Sequence, residues 1–309
     1  MGDIEFVIIL LVAVALLVWV ARQLTIPYPA VLVLGGLGLG AFPGLPDLEL
    51  EPDVVFLIFV PPLVHAAGYQ ASPRLLVRDW RPIGLAALVL VGGTIVAVAL
   101  VAHAIVPNLS WAAAFVLATV VAPTDLVAAT AIFRRLGAPE RVVNLVEGEN
   151  LVNDGTALTF WRLAVTAAAA GSLTLGDALS ELVLVAAGGT AIGLAGGWAI
   201  AALRRRLDDP LIEITVTLLT PYLLFVGAEE LQLSGILAAV VSGIYLGARD
   251  PQITDSATRL KAYGFWEVLT FLLESLLFVL VGLQFPAVLD NLDQPAGELI
   301  VAGVVLALV

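Results

Sequence analysis

Residues 111–133 read WAAAFVLATVVAPTDLVAATAIF. A helix needs about 20 apolar residues to cross ~30 Å of hydrocarbon, and this stretch has the length and composition to do it. Midway through it stands Ala122-Pro123-Thr124-Asp125. Proline removes a backbone donor and its ring clashes with the preceding turn, so carbonyls near residues 119 to 122 lose their partners. Irregular backbone at membrane depth persists only where protein covers it or where it lines a polar cavity, and its freed oxygens are ready ligands for a cation. An apolar span that breaks at a proline beside a carboxylate predicts a helical membrane protein with a polar site in its interior.

The rest of the chain agrees. Apolar residues make up 61% of the 309, charged residues only 13%, and the mean hydropathy is +1.05, which excludes a water-soluble globular fold. Apolar segments run over 4–21, 28–44, 53–69, 82–106, 111–133, 143–170, 181–203, 211–227, 233–247, 264–285 and 297–309, eleven spans in all. They are continuously apolar and lack the in-out alternation of a membrane barrel, so the expected class is an all-α polytopic membrane protein with a broken helix in span 5. The first span begins at Ile4 without a basic leader or a cleavage site and reads as a retained helix. The last stops at Val309 after 13 residues with no polar flank, which predicts a chain cut within a helix. There are no cysteines, which excludes disulfides, thiolate catalysis and Cys-ligated metals.

The formal net charge of -12 hides a segregation. Arg22, Arg74, Arg78, Arg81, Arg134, Arg135, Arg141, Arg204, Arg205, Arg206, Arg249, Arg259 and Lys261 follow the odd-numbered spans, and of the Lys and Arg residues only Arg162 is left over. The opposite face carries acids such as Asp47, Glu49, Glu51, Asp177, Glu229, Glu230 and Asp293 and no Lys or Arg. The positive-inside rule then places the basic loops in the cytoplasm and the N-terminus outside, in a cell membrane. Nothing in this pattern calls for nucleic acid. Transporters often contain inverted repeats. A single transporter domain over 1–309 is expected, with spans 1–6 as the first repeat, span 7 as connector and spans 8–11 as a partial second repeat.

Six charges remain inside spans: Asp125, Glu147, Glu149, Asp154, Arg162 and Glu274. An ionisable group at membrane depth costs at least ~2.5 kcal/mol on insertion scales and is a functional-site candidate by default. Span 6 contains Glu147-Gly148-Glu149-Asn150-Leu151-Val152-Asn153-Asp154. Asn150 and Asp154 are four apart, Asn150 and Asn153 three apart, so amides and carboxylates share one helical face. Such a face lines a hydrated cavity or the bundle interior. With Asp125 and Thr124 it forms a set of hard oxygen donors, which suits Na+, Li+, K+ or a proton. A desolvated carboxylate near another holds its proton more tightly, so proton and cation compete for one site.

In order along the chain stand Pro61-Pro62-Leu63 with Ala67-Gly68-Tyr69, Pro123-Thr124-Asp125, Glu147-Gly148-Glu149 with Asn153-Asp154-Gly155, Ser234-Gly235-Ile236-Leu237-Ala238, and Phe265-Trp266-Glu267 leading to Glu274 and Phe278-Val279-Leu280-Val281-Gly282-Leu283. This ordered set resembles the monovalent cation/proton antiporter family that includes bacterial NhaP-like and animal NHE exchangers. The resemblance implies a homodimeric thirteen-helix exchanger without a cofactor and without enzymatic activity. In it Asp154 binds cation and proton in turn, with Asp125, the Thr124 carbonyl and Asn150 close by, Asn153 bracing the site and Glu149 pairing with an arginine. It further implies exchange of one cation per proton, where Asn153 replaces a second aspartate. Leu126 stands where many members have a second proline, Asn150 where many have serine, and Ala66 where many have an acid.

His65 reads as a satisfied interior histidine, Glu274 as a polar contact between helices, and Gly35-Gly36-Leu37-Gly38-Leu39-Gly40 as a close-packing helix surface rather than a dinucleotide loop. His103 lies near the outer end of span 4. Two rival readings use the same residues. An intramembrane aspartyl protease pairs Asp125 with Asp154 but expects a Gly-x-Gly-Asp signature, absent around either. A passive cation channel expects repeated ring-forming motifs, whereas the broken helix occurs once.

Overall fold

In a computed structural model the chain is described over residues 3–24, 26–41, 51–71, 78–85, 89–123 and 175–290, with short runs and single positions between 133 and 165 and at 303. All regular structure among the described residues is helical. The helices are α1 (Asp3–Leu24), α2 (Tyr28–Gly40), α3 (Pro52–Gln70), α4 (Trp80–Leu85), α5 (Val91–Ile105), α6 (Trp111–Val121), α7 (Leu175–Arg204), α8 (Pro210–Glu230), α9 (Gly235–Ile253) and α10 (Ser256–Asp290). Parts of α1, α3, α7, α8 and α10 are long and apolar enough to cross a membrane. Span 4 contains α4 and α5, with residues 86–88 between them outside the described residues, and span 10 extends forward to Ser256, so Arg259 and Lys261 sit on the first turns of a helix instead of in a loop.

The described helices form two compact units whose boundaries fall inside α3 and α10: Met1–Leu63 with Tyr263–Leu299, and Val64–Ala262 with Ile300–Val309. In the first, Leu10, Val14 and Val18 repeat every four residues along α1 and bury one face against Leu32 of α2 and Val279 of α10. The opposite face of α1 leaves Ile8, Val12, Leu16 and Trp19 exposed. Large apolar side chains turned outward over a whole helix match a hydrocarbon solvent. The glycine-rich segment of α2 behaves as the sequence predicts. A side chain at Gly36 would strike the Val279 carbonyl, and one at Gly40 would come within 2.5 Å of the Leu283 carbonyl, so α2 and α10 touch backbone to backbone.

In the second unit α5 and α6 form an antiparallel hairpin. Val91, Ile95, Val98, Ala99 and Ala102 pack on Ala114, Ala118 and Ala122. Asn108 takes a left-handed φ of 61° in the connection, and the Ser110 hydroxyl caps α6 by accepting from the Ala113 N–H at 3.2 Å. The helix ends at Val121, two residues before Pro123, where the proline argument places the break. In the same unit α9 is held on two sides by glycines. Along α7, Gly189 abuts the Ser234 carbonyl, and the position of an added Cβ on Gly193 lies 2.7 Å from the Ala238 carbonyl. Gly68 of α3, and Gly243 and Gly247 of α9, bring those two helices equally close. Small residues four apart let helix backbones approach, and the resulting van der Waals packing takes the place of the hydrophobic drive that lipid does not provide.

Candidate cation site

Of the residues expected to bind the transported ions, Asp154, Asp125 and Thr124 lie outside the described residues. Asn150 and Asn153 are described and buried, at 4% and 1% exposure, as a helical face turned to the protein interior requires. Glu149 is buried as well, and among the described residues its Oε1 accepts no hydrogen bond. A buried acceptor without a donor is costly and marks a group that serves something other than packing. The chemistry open to the described part is therefore that of a buried amide pair beside one acid, all of it oxygen ligation. Glu147 and Arg162 lie outside the described residues.

His65 is 1% exposed in the α3 segment of the second unit. Its Nδ1 donates to the Ala239 carbonyl at 3.0 Å and lies 3.1 Å from the Ser242 hydroxyl. A carbonyl only accepts, so Nδ1 carries the hydrogen in this contact. This is the interior histidine the sequence predicts. In the first unit the Tyr28 hydroxyl donates to Glu274 Oε2 at 3.1 Å, which is a polar contact between α2 and α10. His103 Nδ1 donates to the Leu109 carbonyl at 2.7 Å, and its ring stacks on Trp111 with centroids 4.0 Å apart.

A second polar cluster was not legible in the sequence. Arg204, Glu213 and Asp250 count by position as loop charges on the basic face, yet they are 1%, 5% and 1% exposed. Arg204 ends α7, Glu213 sits in the first turn of α8, and Asp250 lies in the last turn of α9. The Arg204 Nη2 donates to Glu213 Oε1 at 2.8 Å and to Asp250 Oδ1 at 2.9 Å. The correction has a simple cause: three helices end together here, and their terminal charges pair with one another before they reach water. Arg78 and Asp79 show the contrasting surface case, a 2.7 Å ion pair in which the Arg78 hydrogen bond holds the Asp79 carboxyl below its usual range.

Long apolar helices with outward apolar faces, helix contacts through glycine, and amides, acids and an arginine buried between helices define a polytopic α-helical membrane protein. Residues 8–309 match the sequence profile of the family described as sodium/hydrogen exchanger, transmembrane, and the chain belongs to that family, one of transporters. It is 36% identical over 289 residues to an uncharacterised Na(+)/H(+) exchanger of Mycobacterium tuberculosis, covering 90% of this chain and 52% of the relative. It is 32% identical over 293 residues to a sodium, potassium, lithium and rubidium/H(+) antiporter of Bacillus subtilis, covering 92% and 44%. The chain thus spans about half the length of the curated relatives it matches. Its fold resembles that of the sodium proton antiporter MjNhaP1 from Methanocaldococcus jannaschii, with a TM-score of 0.73 at 21% identity, covering 91% of this chain and 69% of that one. Neither the protease nor the channel reading finds support among these relatives.

Proposed function

We propose that the full-length protein is a secondary antiporter that exchanges a monovalent cation, Na+ with Li+ or K+ as the alternatives, for a proton across the cell membrane. The observation that carries the reading is family membership over residues 8–309 together with the acids and amides of spans 5 and 6. Asp154 binds cation or proton in turn. Asp125, the Thr124 oxygen and Asn150 complete the cation's oxygen shell, Asn153 braces Asp154, and Glu149 pairs with an arginine. One exchangeable charge at the site gives one cation per proton and no net charge movement. Burial of Asn150 and Asn153 supports this arrangement, because a buried amide pair needs polar neighbours in the interior.

The protein works as a homodimer in the lipid bilayer, with basic loops in the cytoplasm and the N-terminus outside. Spans 1–6 form the first inverted repeat, span 7 the connector and spans 8–11 part of the second. Such a protein serves pH homeostasis. The test is cation-dependent dissipation of an imposed pH gradient in proteoliposomes carrying the full-length protein, run separately with Na+, Li+ and K+. Exchange that is unaffected by membrane potential is expected. Proton leak without a cation requirement sinks the proposal.

A further inference from the structure

The junction of α7, α8 and α9 uses only part of the Arg204 guanidinium. Arg204 Nε and Nη2 donate to Glu213 Oε1 at 3.0 and 2.8 Å, and Nη2 also lies 2.9 Å from Asp250 Oδ1 and 2.8 Å from Thr254 Oγ1. The Thr254 hydroxyl in turn lies 2.5 Å from Glu213 Oε1. These contacts coexist in one fixed arrangement, and they leave two atoms over. Arg204 Nη1 and Asp250 Oδ2 are buried, and among the described residues neither has a hydrogen-bond partner. The first is a donor and the second an acceptor.

Both atoms belong to residues joined at 2.9 Å, so they lie near one another. A third polar group comes from α3. Tyr69 is 5% exposed and packs on Ala201 of α7 and Leu246 of α9. Arg204 stands one turn on from Ala201, and Asp250 one turn on from Leu246, which brings the phenol within a turn of both. Tyr69 is accordingly within electrostatic reach of Arg204. Internal water settles where buried polar groups converge, and it makes about three hydrogen bonds there. The chemistry selects among ligands. A cation on Oδ2 would meet the Arg204 charge, and an anion on Nη1 would meet a cluster in which two carboxylates outnumber one guanidinium. An ammonium ion cannot accept from Nη1, whereas water both accepts and donates and carries no charge.

We propose that this junction is a binding site for one internal water molecule, which accepts a hydrogen bond from Arg204 Nη1, donates one to Asp250 Oδ2 and takes the Tyr69 hydroxyl as its third partner. The water ties α3 to the adjoining ends of α7 and α9, where Gly243 and Gly247 already press α9 against the α3 backbone. It serves the one donor and the one acceptor that the ion pairs leave over, and a bridging water does so nearly as well as a direct hydrogen bond. The site is independent of which ion is transported.

The test is a crystal structure of the full-length wild-type protein at a resolution that shows ordered water, with anomalous scattering recorded after soaks in Rb+ and, separately, Br−. One peak within hydrogen-bond distance of both Arg204 Nη1 and Asp250 Oδ2, without Rb+ or Br− signal, is expected. A direct Nη1–Oδ2 contact, a peak touching only one of the two, or a Rb+ or Br− signal at the site overturns the proposal. X-ray hydroxyl-radical labelling in solution gives a second reading, because radicals made from a bound water attack the nearest side chain. Tyr69 should be modified several-fold faster than Phe59, an aromatic residue of the same helix that is as deeply buried, at 7% exposure against 5%. Equal, slow modification of the two would show that no water lies against Tyr69 and would also sink the site as described.

Discussion

Gly68 faces α9 so closely that an added methyl has nowhere to go. The ideal Cβ position lies 2.5 Å from the Val240 carbonyl oxygen and 3.3 Å from the Ile244 nitrogen, both backbone atoms. Carbon and carbonyl oxygen ordinarily keep at least about 3.3 Å apart, so Gly68→Ala must open the α3–α9 contact by about 0.8 Å. His65 sits one turn earlier on α3, with its Nδ1 3.0 Å from the Ala239 carbonyl. The same opening stretches that bond past hydrogen-bond range and strands a buried donor, at ~1–3 kcal/mol. Overpacking adds ~1–3 kcal/mol, for a total of about 2–6 kcal/mol. Gly227 of α8 is the control: an added Cβ meets nothing within 4 Å, and alanine is favoured over glycine in a helix by up to ~1 kcal/mol. Thermal unfolding of the full-length protein in detergent should show Gly68→Ala melting several degrees low and Gly227→Ala at or above wild type. A Gly68→Ala protein that melts with wild type refutes the backbone-contact reasoning.

Three further outcomes are expected. Ser234 caps α9 by accepting from the Leu237 N–H at 3.2 Å, so Ser234→Ala should lower unfolding stability by ~1 kcal/mol, while Ser234→Asp should keep most of it. Asp255 opens α10; hydrogen bonds from Thr258, side chain before backbone, and from the Ala257 N–H hold its pKa below the ordinary value. A depressed carboxylate stabilises above its unfolded pKa of about 4, and the benefit is lost as pH falls through its folded pKa, so Asp255→Asn should flatten the acid limb of a melting-temperature profile. Tyr28→Phe removes the donor to Glu274 and should cost on the order of 1–2 kcal/mol; combined with Glu274→Gln the losses should be less than additive, and strict additivity would show that the pair does not interact.

How far the sequence alone reaches is clear from particular residues. Helix positions follow from apolar length, and Pro123 marks the end of α6 because a missing donor and a ring clash are local effects. The close packing of α2 follows from Gly36 and Gly40, since a glycine run inside an apolar helix has few other uses. His65 reads correctly because an interior histidine needs a hydrogen-bond partner, and the Ala239 carbonyl supplies one. The Arg204 junction does not read at all. Its members are 9 and 46 positions apart, each at the end of a span where charge is ordinary, and only the convergence of three helix ends makes them neighbours. Position along a span reports depth but not which helix faces which. Thr124, Asp125 and Asp154 remain a reading of composition, spacing and family resemblance, outside the described residues.

The central claim is that one carboxylate, Asp154, carries cation and proton in turn. Its most direct test is cation-driven proton flux in proteoliposomes bearing the full-length protein with Asp154→Asn, against wild type reconstituted at equal density. The account predicts that flux falls to the level of empty liposomes while the variant elutes and melts as a folded protein. Asp154→Asn exchange at the wild-type rate would contradict it.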